Sequence, residues 1–233
     1  GHLGYAVVHR LVEAGCGEAI VHGHCVATGV GVYPSGALGD WARLACARGC
    51  GLILLAGSPP RVAAPDGHTP LLGTNPICVG LPGSPAFICD SSTSAITHGD
   101  LLTAQGRGAG LPADAAVDRD GAATTIAGEV AALRAIGGSH KSFALGMAVE
   151  LLCCLAGGVP GSPSFAEHGV FAVFLGPAMC GANAEVLAAR LVGFAEAGAR
   201  IPGWDSGQRL AADPERVSVD AGVYAQLAPW LAE

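Results

Sequence analysis

Lysine is almost missing from this chain. Of its 12 basic residues, 11 are Arg and the single Lys is Lys141. Charge of either sign is scarce: charged residues make up 13% of the sequence, about half the usual ~25% of a soluble domain. Disorder needs low hydrophobicity and high charge, so it is excluded. There is no basic run, and a net charge of −7 with a pI near 5.5 speaks against a phosphate-backbone binder, so no nucleic-acid partner is expected. A long apolar run is lacking too. The longest, residues 143–156, has about 14 residues and contains Glu150, whereas a spanning helix needs ~20. It reads as a buried core helix despite a mean hydropathy of +0.47, and no membrane partner is expected. A basic start followed by an apolar run and a cleavage site is absent. The chain opens on Gly1 rather than Met, which implies an incomplete N-terminus.

Several motifs are missing as well. There is no GxGxxG after a strand, no GxxxxGK[ST], no HExxH and no GxSxG, so the standard dinucleotide, P-loop, zincin and nucleophile-elbow signatures do not apply. No CxxC exists among the nine cysteines, an odd number lying mostly in apolar runs such as Phe87-Ile88-Cys89 and Leu152-Cys153-Cys154-Leu155. They read as small hydrophobes in a reducing compartment, which gives a cytoplasmic expectation. His22-x-His24-Cys25 is the only dense cluster of ligand types, and without a second cluster it is not read as a metal site.

What is present is a chain of 233 residues, 51% hydrophobic, with Gly 36 and Pro 15. That length buries a sizeable core in a single domain, here residues 1–233. Gly is abundant but has no Gly-X-Y period, so collagen is out. Leu3, Val7, Leu11 and Val12 predict a helix over 3–14, with Gly15 as its stop. Residues 18–22 read as a short β-like run and the Gly-rich residues 23–36 as a loop. Leu38, Trp41, Ala42 and Ala45 mark a helix face ending near Gly49, and residues 52–55 a buried strand. This strand–helix–strand unit predicts adjacent parallel strands with a right-handed crossover. Residues 58–76, with five Pro, read as a long loop. Strands follow at 77–81 and 86–89, then a polar, Gly-rich middle over 99–138. A helix over 142–156, a strand over 170–175 and an amphipathic helix over 184–197 come next, the last with Leu187, Leu191 and Phe194 on one face. The final ~30 residues read as irregular, with a short helix near 224–231. The mixture is an α/β domain.

Four segments are candidates for chemistry. In Gly73-Thr74-Asn75-Pro76, the residue before Pro is held away from the α region, so Thr74 and Asn75 can offer side chains to a ligand. The alternative is an ordinary turn. Asp90-Ser91-Ser92-Thr93-Ser94 follows a strand. Its hydroxyls can open a helix and cradle an anion, or simply cap that helix. Asp90 would repel a phosphate and suits a loop N–H or a sugar hydroxyl. Gly137-Gly138-Ser139-His140-Lys141 puts the only Lys where a helix N-terminus favours anions. Asp118-Arg119-Asp120-Gly121 resembles half a calcium loop but lacks the other ligands, and reads as a solvated turn. Glu150 is either a buried, paired carboxylate or the wet edge of its helix.

In order and spacing these segments resemble the malate/L-lactate dehydrogenase family unrelated to the Rossmann enzymes, which includes sulfolactate and ureidoglycolate dehydrogenases and a cyclic-imine carboxylate reductase. The match is carried by Gly1-His2-Leu3-Gly4-Tyr5, Ser35-Gly36-Ala37-Leu38-Gly39-Asp40-Trp41, Gly73-Thr74-Asn75-Pro76-Ile77, the Asp90 to Ser94 segment and Val117-Asp118-Arg119-Asp120-Gly121. It continues through Gly138-Ser139-His140-Lys141-Ser142-Phe143, Met147-Ala148-Val149-Glu150-Leu151-Leu152 and Ile201-Pro202-Gly203. The resemblance implies a three-layer α/β/α fold with a mixed sheet, a homodimer and an oxidoreductase using NAD(H) or NADP(H) on a small-molecule substrate. The substrate class is a 2-hydroxy or 2-oxo acid, or a cyclic imine carboxylate. It places the cofactor against Thr74, Asn75, Pro76, Asp90, Thr93, Ser94, His140 and Lys141.

The sequence also departs from the family. An N-terminal helical region with a substrate-binding His and Arg is missing. Pro34 stands where family members carry an acid/base His, and Ser142 follows the His-Lys pair where Gly is usual. His24 is a candidate substitute for the acid/base, and Asp100 a candidate for handling the substrate proton or else a surface helix residue. Two further functions compete: a relative that binds nucleotide or dimerises without turnover, and a metal-dependent hydrolase using His22, His24 and Cys25.

Overall fold

The computed structural model describes residues 4–205. In chain order the elements are α1 (Gly4–His22), β1 (His24–Val30), α2 (Leu38–Cys46), β2 (Gly51–Ala56), β3 (Val62–Ala63), β4 (Pro70–Leu72), β5 (Ile77–Leu81) and β6 (Phe87–Ser91). Then come α3 (His98–Arg107), β7 (Ala116–Val117), β8 (Ala132–Leu133), α4 (His140–Leu155), β9 (Gly169–Leu175), α5 (Pro177–Gly181) and α6 (Ala184–Glu196). The expected short helix near 224–231 lies outside the described residues.

Five strands form the main sheet in the order β1-β9-β2-β5-β6, with every neighbouring pair antiparallel. Alternation along the strands sends side chains to two helical layers. On one face, Val8, Val12, Cys16 and Ala19 of α1 and Leu38, Ala42 and Ala45 of α2 pack on Leu52, Leu54, Cys78, Ala172 and Phe174. On the other, Val149 and Cys153 of α4 meet Leu55, with Ile53, Ile77 and Phe171 beside them. This is the expected three-layer α/β/α arrangement. Phe174 is fully buried, which contributes about 1.5–3 kcal/mol. A smaller sheet, β4-β3-β8-β7, holds the parallel pairing in Val62↔Leu133. Val62, Leu101, Ala104, Ala116 and Leu133 pack together beneath α3.

Several expectations are corrected. The helix from residue 4 does not stop at Gly15 but runs to His22, so residues 18–22 are helical rather than β-like. Gly15 is small because a Cβ there would lie 2.2 Å from Cε2 of Phe174, so it serves packing and not a cap. Residues 24–30 are strand β1, not loop. Cys25, Ala27 and Gly29 alternate toward α1, and small residues there let the helix approach closely; a Cβ on Gly29 would already touch Leu11 at 3.4 Å. β1 and β2 run the same way, but they are not adjacent, because β9 lies between them. The region 58–76 holds β3 and β4, and the middle segment holds α3, β7 and β8. The apolar face expected on α6 is not buried: Leu187 and Phe194 are exposed.

Candidate active site

One end of the main sheet gathers three of the four candidate segments. Asn75 is completely buried and has a positive φ of 34°, an uncommon conformation for any residue but Gly. Its side chain makes that geometry stable. Nδ2 donates to the Gly146 carbonyl (3.1 Å) and to Oε2 of Glu150 (2.8 Å), and Oδ1 accepts from the Ser58 N–H (3.2 Å). Asn75 is therefore fully engaged inside the protein and holds its neighbours rather than offering donors outward. The Thr74 N–H donates to Oγ of Ser58 (3.0 Å), whose hydroxyl lies 3.4 Å from Oγ1 of Thr74. Pro76 leads directly into β5.

The hydroxyl cluster opens no helix, contrary to expectation; α3 begins later, at His98. Its hydroxyls lock the Thr74 segment instead. Ser92 Oγ and Thr93 Oγ1 donate to the Thr74 carbonyl (2.9 and 3.1 Å), and Thr93 Oγ1 also reaches the Asn75 carbonyl (3.1 Å). Ser94 Oγ donates to the Ile96 carbonyl (2.6 Å). Thr93 and Ser94 are buried. Sequence reasoning missed this because a hydroxyl aimed at a carbonyl and one aimed at a ligand look alike in a one-dimensional pattern.

The start of α4 joins the same end. The Ile136 N–H donates to the Thr93 carbonyl (3.1 Å), and Ser142 Oγ donates to the Ile136 carbonyl. The helix begins at His140, two residues earlier than expected, with Ser139 as N-cap accepting from the Ser142 N–H (3.3 Å). Gly137 and Gly138 both take left-handed φ near +60°, a turn that side chains disfavour. His140 is exposed, with Nε2 3.6 Å from Asp66. Lys141 sits in the first turn, where a cation opposes the helix dipole, and no described carboxylate lies within ion-pair distance of it.

Asp90 faces the α1/α2 layer. Its Oδ2 accepts from the Gly39 N–H at 2.7 Å. α2 has no cap of its own at Ala37, so a carboxylate from β6 serves instead. The packing around Asp90 raises its carboxyl above the usual range, against the lowering effect of the Gly39 N–H. Beside it opens a cavity of about 350 Å³ bordered by Gly39, Arg43, Asp90, Arg200 and Gly203. The Ile201-Pro202-Gly203 segment closes one wall, the Pro202 carbonyl accepting from the Ile88 N–H (3.1 Å). Gly203 has φ +91°, and a Cβ there would lie 2.8 Å from that same nitrogen. Arg43 and Arg200 carried no motif and were not singled out by the sequence; only the closure of the 200–203 segment on β6 brings them here.

Two candidates lie elsewhere. His24 is exposed at the start of β1. β1 and β6 are the two edges of the sheet, so four strand spacings, about 19 Å, separate it from Asp90. Asp100 belongs to the capping box of α3: its Oδ2 accepts from Thr97 N–H (2.9 Å) and Oγ1 (2.8 Å), while Thr97 Oγ1 accepts from the Asp100 N–H (3.0 Å). That is the surface helix reading of Asp100. His22 pairs with Glu18 at 3.4 Å, and among the described residues no group of three or more His, Cys, Asp or Glu is placed to hold a metal. Asp118 closes its own turn, Oδ1 accepting from the Asp120 and Ala122 N–H groups, both at 2.9 Å. Burial pushes the thiols of Cys16, Cys46 and Cys153 up to about 12, which makes them poor nucleophiles.

The donor set suits a nicotinamide dinucleotide. Asp90 is a carboxylate acceptor of the kind sugar hydroxyls meet; of the two arginines beside it, Arg43 lies 4.0 Å from Asp40 and Arg200 pairs with Asp205 at 3.2 Å, whereas Lys141 is a cation without a described partner carboxylate.

Comparison with known proteins bears on the family and the fold. The sequence profile described as malate/L-lactate dehydrogenase matches residues 1–218. The chain is 33% identical over 158 residues to the L-sulfolactate dehydrogenase of Methanothermobacter thermautotrophicus, covering 64% of this chain and 44% of that protein. It is 35% identical over 184 residues to the Delta(1)-pyrroline-2-carboxylate/Delta(1)-piperideine-2-carboxylate reductase of Pseudomonas aeruginosa, covering 70% and 54% respectively. The chain thus spans about half the length of the curated relatives it matches. The crystal structure of a dehydrogenase from Sinorhizobium meliloti superposes with a TM-score of 0.85 at 26% identity, covering 97% of this chain and 73% of that one. A fold, an ordered set of segments and a profile spanning nearly the whole sequence agree: the chain belongs to the malate/L-lactate dehydrogenase family.

Proposed function

We propose that the protein is an oxidoreductase using NADH or NADPH on a small 2-hydroxy or 2-oxo acid, or on a cyclic imine carboxylate. The observation that carries this reading is Lys141, exposed in the first turn of α4 and opposed to its own helix dipole, on the helix whose Gly146 packs against Thr93 of the hydrogen-bonded Thr74–Thr93 junction. In this reading Lys141 and His140 meet an anionic group of the cofactor or substrate, and Thr74 contributes a hydroxyl. Thr93 and Ser94 shape that wall, and Asp90 receives sugar hydroxyls. The nicotinamide supplies or accepts the hydride; the residues named bind and orient. The names of the relatives support the substrate class. Fluorescence titration of the folded chain with NADH and NADPH tests the binding. Saturation below millimolar with one of them is expected; no saturable signal with either refutes the reading.

A second reading, nucleotide binding without turnover, is favoured by the position of His24 on the far edge of the sheet and by Pro34, which leave no acid/base imidazole from either position beside Asp90. Loss of NADH or NADPH absorbance with pyruvate, oxaloacetate or a pyrroline carboxylate separates the two: turnover favours the first, binding alone the second.

A homodimer fits either reading. Val26, Leu151, Leu155 and Val186 are each more than half exposed, and apolar surface of this kind marks contacts. Sedimentation at micromolar concentration should give twice 23.0 kDa; a clean monomer refutes it. No helix among the described residues is long and apolar enough to cross a membrane. The nine free thiols support a reducing, cytoplasmic location.

A further inference from the structure

Glu150 is the only carboxylate on α4, and it is turned inward, 8% exposed. No described cation lies within ion-pair distance. All of its described partners are neutral N–H donors. Oε2 accepts from Asn75 Nδ2 (2.8 Å) and, more weakly, from the Gly73 N–H (3.4 Å), and Oε1 accepts from the Gly161 N–H (2.8 Å). A buried carboxylate without a counter-charge is costly, and an apolar side chain would fill the same helix position at less cost. The donors point to what the charge does. Gly73 and Asn75 flank Thr74 on both sides, and Gly161 lies in the turn beyond the end of α4. One carboxylate therefore ties the Thr74 segment to the helix that carries Lys141. Asn75, held at its positive φ, is the joint: the same side chain that reaches Glu150 also bonds the Gly146 carbonyl and Ser58. The junction is tight, since a Cβ on Gly146 would come within 3.1 Å of Oγ1 of Thr93.

We propose that Glu150 is a positioning residue of the cofactor site: by holding residues 73–75 against α4 it fixes the spacing between the Thr74 hydroxyl and Lys141, nine residues earlier on the same helix. This rests on the reading that Thr74 and Lys141 meet a nicotinamide cofactor. The charge itself matters. In Glu150→Gln the amide NH2 faces at least one N–H donor, so one arm of the clasp opens while the volume stays constant.

The test compares cofactor dissociation constants of wild type, Glu150→Gln and Val12→Ala, well below their melting temperatures, using NADH and NADPH. Val12 lies in the core on the opposite side of the sheet, so its truncation lowers stability without touching the clasp. Glu150→Gln should weaken the cofactor about tenfold, the effect of losing one hydrogen bond to a charged group, whereas Val12→Ala should lower the melting temperature and leave the constant unchanged. A folded Glu150→Gln with a constant within about twofold of wild type overturns the proposal, as does an equal weakening in Val12→Ala. A measurement on wild type covers the case in which Glu150→Gln does not fold. Cofactor should slow amide hydrogen exchange at Gly161, which touches the clasp and not the Thr74–Lys141 wall; unchanged exchange there overturns the proposal. Wild type that binds neither cofactor defeats the cofactor reading and this proposal together, whereas a binding wild type with an equally binding Glu150→Gln defeats this proposal alone.

Discussion

Asp90 caps a helix 51 residues away: its carboxylate on β6 accepts the Gly39 N–H at 2.7 Å, in the first turn of α2. Removing an N-cap acceptor costs about 0.5–2 kcal/mol, so Asp90→Ala should lower stability by about 1 kcal/mol, measured by urea unfolding. Asp90→Asn keeps an acceptor and should lose only part of this. The pH dependence carries its own sign. Burial raises the folded-state pKa of Asp90, so its favourable contribution is complete below the unfolded-state value and is lost as pH rises through the folded one. Asp90→Asn should therefore compare better with wild type at neutral pH than at pH ~4. A stability difference independent of pH contradicts the assignment.

Lys141→Ala should weaken cofactor binding about tenfold to a hundredfold, the range for a hydrogen bond between charged groups. Stability should stay within about 0.5 kcal/mol of wild type, since the residue is exposed. Lys141→Arg should be partly tolerated, because a planar fork replaces a compact ammonium imperfectly. Equal dissociation constants for the three proteins would return Lys141 to the solvent.

His168 is buried and its Nε2 has no hydrogen-bond partner among the described residues. Burial lowers its pKa, against the pull of Glu150 and Glu167. Burial also lowers that of His98, reinforced by Arg61. Below the ordinary His value the unfolded chain takes up protons that the folded one refuses, so stability falls with pH through that window. The melting temperature should drop between about pH 7 and pH 5, and His168→Gln should flatten part of the slope. A variant with the full wild-type slope would show that His168 is not the group responsible.

Two glycines of α1 make a paired test. A Cβ on Gly15 would lie 2.2 Å from the Phe174 ring, whereas one on Gly17 meets nothing within 4 Å. Gly15→Ala should therefore destabilise by about 1–3 kcal/mol through overpacking, and Phe174→Leu should partly relieve it. Gly17→Ala should stabilise by about 0.5–1 kcal/mol through helix propensity alone. Thermal or urea unfolding of the variants reads both, and changes of the same sign would remove the packing argument.

Those glycines also show what the sequence could and could not convey. The cores of β2, β5 and β9 were legible because runs such as Leu52-Ile53-Leu54-Leu55 have no other stable place than a two-sided sheet. The start of α1 was legible from Val7, Leu11 and Val12, although Val8 rather than Val7 proves to be fully buried beside Val12. Gly15 was misleading: a glycine that ends a helix and one that admits a partner's ring are the same letter. β1 was hidden for the same reason, its small residues being chosen for contact with α1. In the candidate site, Lys141 stood out by rarity and Asp90 by its place after a strand. Arg43 and Arg200 had no such signal, since only tertiary closure brings them to one cavity. The inward turn of Glu150 depends on Asn75, 75 residues away, and no local pattern encodes that distance.

The position of β9 has a consequence for biosynthesis. β1 and β2 end at residues 30 and 56, yet the strand that belongs between them ends at residue 175 and is made much later. Until β9 is made, two strands that never pair directly face a gap one strand wide. Such edges are templates for pairing with other chains. Nascent chains stopped before residue 169 should aggregate or bind chaperones, and release into solution should coincide with the arrival of a single seven-residue segment, Gly169–Leu175.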